Sequence, residues 1–255
     1  MHTGFDQKAS IDFVNASIFF PVRNLEAHSF TSKVQSFVTG KRFNSKNISK
    51  GISALENLNL KISAGERVGV IGRNGAGKST FLRAICQVYH PTSGHASIVG
   101  ETASLIDIGL GINPESSGRD NIFMRGALLG LPKNEIQNRF DEIVDFSELH
   151  KFIDLPVRTY SSGMQMRLGF SVSMVIQPQI LVMDEWLSVG DENFRQKAER
   201  KMNDMVQQTE ILILASHSRE LIENTCQRVI WLENGAVRLD GPTLEVTEAY
   251  YESSS

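Results

Sequence analysis

Apolar and polar residues alternate over positions 11–20, the two-residue period of a half-buried β-strand, and Pro21 closes the stretch. Positions 22–51 lose that alternation. Within them Phe30, Val34, Phe37 and Val38 recur at helical spacing and Gly40 follows. The pattern predicts an insertion with one short amphipathic helix, then a polar loop carrying Lys41, Arg42, Lys46 and Lys50. Alternation returns over 55–63 through Leu55, Leu58, Leu60 and Ile62, and Ala64-Gly65-Glu66 reads as a turn. A strand over 67–71 runs straight into a glycine-rich loop. A helix over 78–88 follows, closed by Pro91 and Gly94, and short strands are expected over 96–99 and 103–106.

From 109 to 160 the period becomes helical. Ile136, Phe140, Ile143 and Val144 share one apolar face, and Asp120 is placed to cap a helix beginning near Asn121. A long helix is expected from Ser161 to Gln177, before Pro178. Positions 180–183 and 211–215 are uninterrupted apolar runs, as fully buried strands are. Helices over 195–208 and 219–225, a strand over 229–232, a tight turn at Asn234-Gly235 and a helix over 243–251 complete the chain.

Buried strands alternating with helices predict an α/β fold around a parallel sheet. The expected organisation is a single domain over 1–255. Its core comes from 11–108 and 178–240, with the insertion at 22–51, a helical subdomain at 109–177, and a C-terminal helix and tail at 241–255.

Composition narrows the function classes. Hydrophobic residues are 41% and charged residues 22% of 255, and the net charge is −3. That is an ordinary globular chain with no overall bias toward nucleic acid or anionic lipid. Cys86 and Cys226 have no metal-ligand spacing and suggest no disulfide framework, which points to a reducing, cytosolic compartment. The first ten residues lack the apolar core of a signal peptide, and every apolar run is far shorter than the roughly 20 residues that span a bilayer. A membrane role would therefore run through a partner chain.

The chemistry is concentrated in a few short segments. Gly72, Arg73, Asn74, Gly75, Ala76, Gly77, Lys78, Ser79 and Thr80 contain G-x-x-x-x-G-K-[ST] between a strand and a helix. Glycines let the backbone wrap so that its N–H groups face phosphate oxygens, and the helix N-terminus adds positive field. Lys78 would reach the β- and γ-phosphates, and Ser79 would give an oxygen to Mg²⁺. The strand ending in Asp184 and Glu185 suits a second element of the same machinery. Asp184 would hold the metal, and Glu185 would polarise the attacking water as general base. Ser161, in Tyr160-Ser161-Ser162-Gly163-Met164, is a helix N-cap, and with Gly163 behind it forms an anion site suited to a γ-phosphate. His217 follows an apolar strand. It is either a polar strand end or a hydrogen-bond donor to the γ-phosphate that also fixes the base.

The order of these segments resembles the ATP-binding subunits of ABC transporters over about residues 11–240. That resemblance implies a P-loop NTPase fold with a parallel-sheet core, an N-terminal antiparallel β-subdomain and an inserted helical subdomain. It implies ATP hydrolysis with Mg²⁺, Ser188-Val189-Gly190-Asp191 as the D-loop and His217 as the switch histidine. Phe20, or Phe19 beside it, would stack on adenine unless both rings are core. Two copies would face head to tail, so that Ser161 and Gly163 serve the ATP of the other copy, and a separate membrane-spanning subunit would receive the motion.

The segment that carries the family's Q-loop glutamine reads Leu105-Ile106-Asp107-Ile108-Gly109-Leu110-Gly111-Ile112-Asn113-Pro114, without glutamine. With Pro114-Glu115 and Ser117-Gly118-Arg119-Asp120-Asn121-Ile122 it is similar to exporters of lipid-linked polysaccharide. O-antigen export fits best, in the short form without a C-terminal sugar-binding domain. The alternatives are capsule or teichoic-acid export and, in another class, a soluble ABC ATPase acting on ribosomes or DNA. One phosphate loop and no sustained heptads argue against that last class. The implied location is the cytoplasmic face of the inner membrane. The 22–51 insertion is either a helix meeting lipid-linked substrate at the membrane surface or a solvated basic loop.

Overall fold

The computed structural model describes residues 8–21, 51–105, 111–185 and 192–253. The expected insertion lies outside them up to position 50. Gly109 and Leu110, and the segment Ser188-Val189-Gly190-Asp191, lie outside them too. In chain order the elements are β1 Ser10–Pro21, β2 Gly51–Ser63, β3 Arg67–Ile71, α1 Lys78–Ile85, β4 Ser93–Val99 and β5 Thr102–Ser104. Then come α2 Gly118–Leu128, α3 Lys133–Asn138, α4 Phe140–Ser147, α5 Ser162–Ser173, β6 Ile180–Asp184 and α6 Glu192–Gln208. The last are β7 Ile211–Ala215, α7 Arg219–Thr225, β8 Arg228–Glu233, β9 Ala236–Pro242 and α8 Thr243–Glu252. They divide into two compact units, residues 1–99 with 213–255, and residues 100–212.

The first unit holds the antiparallel sheet β2-β1-β4, in which Ile11 pairs with Ile62 and with Ile98. Alternation in β1 sends Ile11, Phe13, Ala16 and Ile18 inward, the period-2 pattern seen in the sequence. Asn15, at φ 47°, kinks β1 where its register shifts. Strands β3-β8-β9, with the last three residues of β7 beside β3, form a second sheet in this unit. β3 and β8 pair in parallel and β8 and β9 antiparallel, the latter through the turn at Asn234-Gly235. All five residues of β7 are buried, each of its Ile and Leu side chains worth about 1.5–3 kcal/mol on leaving water. Arg228 ties the layer together. Its guanidinium donates to both Asp240 oxygens at 2.7 Å, to Glu66 Oε2 at 2.7 Å and to the Lys61 carbonyl at 2.8 Å.

In the second unit β5 pairs in parallel with β6. Ile122, Ile136, Phe140, Ile143, Leu168 and Val172 pack in the core of its helical part. Three sequence expectations are corrected here. Ser117, not Asp120, caps α2: its Oγ accepts from the Asp120 N–H and donates to the Asp120 carboxylate. The apolar face shared by Ile136, Phe140, Ile143 and Val144 belongs to two helices, broken at Arg139. The helix after Ser161 ends at Ser173, four residues short of Gln177. Buried Arg125 donates to the Gly169 carbonyl and to Ser173 Oγ over that last turn, and burial lowers its pKa to about 10.

Candidate nucleotide site

β3 delivers the chain to the glycine loop, and α1 carries it away. Val68, Gly69, Val70 and Ile71 are buried, so the strand end is rigid. The loop then turns on three glycines with left-handed backbone, Gly72 (φ 151°), Gly75 (φ 77°) and Gly77 (φ 109°). Two of them are also sterically required. A Cβ on Gly72 would meet the Leu232 carbonyl, and one on Gly77 would lie 2.8 Å from the Ala54 carbonyl. Around Gly75 there is nothing within 4 Å, so its left-handed backbone, not packing, calls for glycine. The loop is pinned internally by Ala76 N–H to the Arg73 carbonyl, 3.0 Å, and externally by Gly235 N–H to the Ala76 carbonyl, 2.8 Å.

Arg73, Asn74 and Gly75 are exposed, as is Ser79, while Lys78 and Thr80 are half-buried. Gly77 caps α1 without a side chain, which leaves the first turn to backbone donors, the arrangement that takes an anion. The Lys78 ammonium folds over the loop and donates to the Gly72 carbonyl at 2.6 Å and to the Arg73 carbonyl at 3.4 Å.

Phe20 and His217 lie in the same unit as the loop. Phe20 is half-buried, its ring edge-on to Tyr89 at 5.1 Å between centroids. Tyr89 went unnoticed in the sequence, where an aromatic after a helix carries no pattern. Phe19 is half-buried too, and a Cβ on Gly51 would run into its ring. His217 is exposed directly after buried Ser216. The next residue, Ser218, caps α7 through the Leu221 N–H.

The other sequence candidates lie in the second unit. Asp184 ends β6 half-buried, and Glu185 follows, exposed. Glu185 has φ 73°, a left-handed backbone that costs a non-glycine residue about 1–3 kcal/mol and gathers at functional positions. Nothing in the sequence signals it. Ser161 is exposed at the N-cap of α5, its Oγ accepting from the Met164 N–H at 3.3 Å. Tyr160 before it is anchored by its hydroxyl to the Phe152 carbonyl at 2.6 Å.

Gly163 needs no glycine for folding, since an added Cβ would meet only Ser161 Oγ, at 3.9 Å. The expectation from the sequence is that glycine there leaves the backbone open to a ligand. Gly163→Ala should lower ATP turnover about tenfold, the worth of one strong contact, with the melting temperature unchanged. A variant that turns over normally would sink this assignment.

The sequence matches the family model described as ABC transporter over residues 55–188. The chain belongs to the ABC transporter family. Among curated relatives, it is 46% identical over 230 residues to the O-antigen export system ATP-binding protein RfbB of Myxococcus xanthus, covering 90% of this chain but 52% of that one. It is 39% identical over 229 residues to RfbE of Yersinia enterocolitica, also an O-antigen export system ATP-binding protein, covering 89% of this chain and 96% of that one. The teichoic acids export ATP-binding protein TagH of Lactococcus lactis is 42% identical over 226 residues, covering 89% and 47%. The chain thus spans about half the length of two of these relatives and nearly all of the third.

The fold of this family member is also that of an ATP-binding cassette solved as a dimer in a post-hydrolysis state bound to ADP and Pi. The TM-score is 0.65 at 19% identity, over 91% of this chain and 98% of that one.

Proposed function

We propose that this chain is the ATP-hydrolysing subunit of an exporter that moves lipid-linked polysaccharide, most specifically O-antigen, across the inner membrane. The observation that carries the reading is the match to an O-antigen export system ATP-binding protein along 96% of that protein's length. Among the described residues no helix is long and apolar enough to cross a membrane. The membrane-spanning part would come from a separate subunit, with this chain on its cytoplasmic face.

In this reading Gly72, Arg73, Asn74, Gly75, Ala76, Gly77, Lys78, Ser79 and Thr80 hold the phosphates of ATP, and Phe20 stacks on adenine. Glu185 takes the proton of the attacking water, and His217 hydrogen-bonds the γ-phosphate. Ser161 and Gly163 serve the nucleotide of a second copy. The Ser79 hydroxyl and the Asp184 carboxylate are hard oxygen donors of the type Mg²⁺ accepts, and Mg²⁺ takes few protein ligands beside phosphates. When bound, Mg²⁺ supplies neutralisation of phosphate charge.

The test is reconstitution with a candidate membrane-spanning exporter subunit from the same organism, followed by identification of the co-purified lipid. O-antigen on its lipid carrier, with ATPase stimulated by that lipid, is the expected result. A teichoic-acid or capsular carrier would move the assignment within the exporters. A complex with ribosomes or DNA and no membrane partner would overturn it.

A further inference from the structure

The residue with the highest predicted duty and the least obvious support is His217. Its side chain is exposed, while both its chain neighbours are held and its own carbonyl takes a third bond. On one side Ser216 is buried, and its Oγ accepts from the Ser218 N–H at 3.1 Å. On the other, Ser218 starts α7 as its N-cap. The third bond comes from the far end of the chain, where the Tyr251 hydroxyl donates to the His217 carbonyl at 3.3 Å.

Tyr251 is itself held in place. The Arg219 guanidinium lies 5.3 Å from its ring centroid. Arg219 is fixed by Glu223 at 2.7 Å, and the same carboxylate accepts from Thr247 Oγ1 at 2.7 Å. Those two hydrogen bonds, Thr247 first and then Arg219, hold the Glu223 carboxyl below its usual range. Tyr250 sits edge-on between Tyr251 and Trp231, with centroids 5.2 Å from each. Trp231 in turn carries the Arg238 guanidinium over its face at 4.1 Å. α7 and α8 are therefore locked together by side chains, and one hydroxyl carries that rigidity to the histidine. The ring of Tyr251 does the packing. The hydroxyl is needed for the His217 carbonyl, since phenylalanine would serve Arg219 and Tyr250 equally well.

We propose that Tyr251 is a positioning residue for ATP hydrolysis, holding the backbone from which His217 reaches the γ-phosphate. The inference rests on the reading of His217 given above. An exposed histidine at the start of a loop samples several placements. Fixing its carbonyl narrows them before the transition state is reached, and such preorganisation acts on turnover more than on binding.

The experiment is steady-state hydrolysis of Mg²⁺-ATP by the full chain as wild type, Tyr251→Phe, His217→Ala and the double variant, with melting temperatures for each. Tyr251→Phe should lower kcat about two- to tenfold, the range of one net hydrogen bond, with KM for ATP and melting temperature unchanged. In the His217→Ala background the same change should cost nothing further, because the two act as a unit. A purely structural tyrosine would instead lower the melting temperature and give additive losses, which overturns the proposal. If His217→Ala is impaired and Tyr251→Phe is not, this inference alone fails. If His217→Ala hydrolyses ATP like wild type, the reading of His217 fails and takes the inference with it.

Discussion

Glu185→Gln should abolish nearly all hydrolysis, lowering it by about 10²–10⁴-fold, the usual contribution of a positioned general base, while ATP binding survives. Glutamine keeps the shape and the hydrogen-bonding oxygen of glutamate but cannot accept the proton of the attacking water. It also tolerates the backbone no worse. Glu185 sits at φ 73°, and glutamine pays the same conformational cost, so the substitution isolates the chemistry from the fold. The side chain is exposed in the single chain. With hydrolysis blocked, ATP should hold two copies together, visible as an ATP-dependent dimer by size-exclusion chromatography that wild type shows only transiently. Phosphate release near the wild-type rate would mean that another group takes the proton. A monomer at saturating ATP would leave the base in place but remove Ser161 and Gly163 from the partner's nucleotide.

Much of this site could be read in the sequence because its parts are local. The glycines at 72, 75 and 77 turn within a few residues, between a buried strand and a helix, and the structure shows that turn in their left-handed backbones. Ser161 caps its helix through a bond that spans only three residues, to the Met164 N–H, so its place as a cap was legible as well. The apolar runs of β6 and β7 carry their burial in composition alone.

What escaped was either geometric or distant. The left-handed backbone of Glu185 has no residue signature, since glutamate is a poor choice for it. Asp120 and Ser117 are both cap-type residues three positions apart, and that the Ser117 hydroxyl takes the backbone N–H while donating to the Asp120 carboxylate shows only in three dimensions. The last turn of α5 is bound by Arg125, 44 residues away from the Gly169 carbonyl it reaches. Tyr251 and His217 are 34 positions apart, and no spacing rule links them.

Lys78→Ala should weaken ATP binding about 10- to 100-fold. A hydrogen bond to a charged group contributes about 1.5–3 kcal/mol, and each 1.4 kcal/mol is tenfold in affinity. Two effects add. The first is loss of the ammonium's contact with the phosphates. The second is loss of its hold on the loop, where it now donates to the Gly72 carbonyl at 2.6 Å and the Arg73 carbonyl at 3.4 Å. An ammonium has three donors, so it can keep a loop carbonyl while it turns toward phosphate. The first effect dominates, because the loop keeps its backbone bonds from Ala76 to Arg73 and from Gly235 to Ala76. The variant should therefore fold with an unchanged melting temperature in the absence of nucleotide, but gain less from added ATP, since stabilisation by a ligand follows its affinity. Lys78→Arg should not restore binding, because the planar fork of arginine is longer and needs a different approach from a compact point charge. Equilibrium titration with ATP separates the two effects. Unchanged affinity would remove Lys78 from the phosphate site, whereas a fall in nucleotide-free stability would put the loop contact ahead of the phosphate contact.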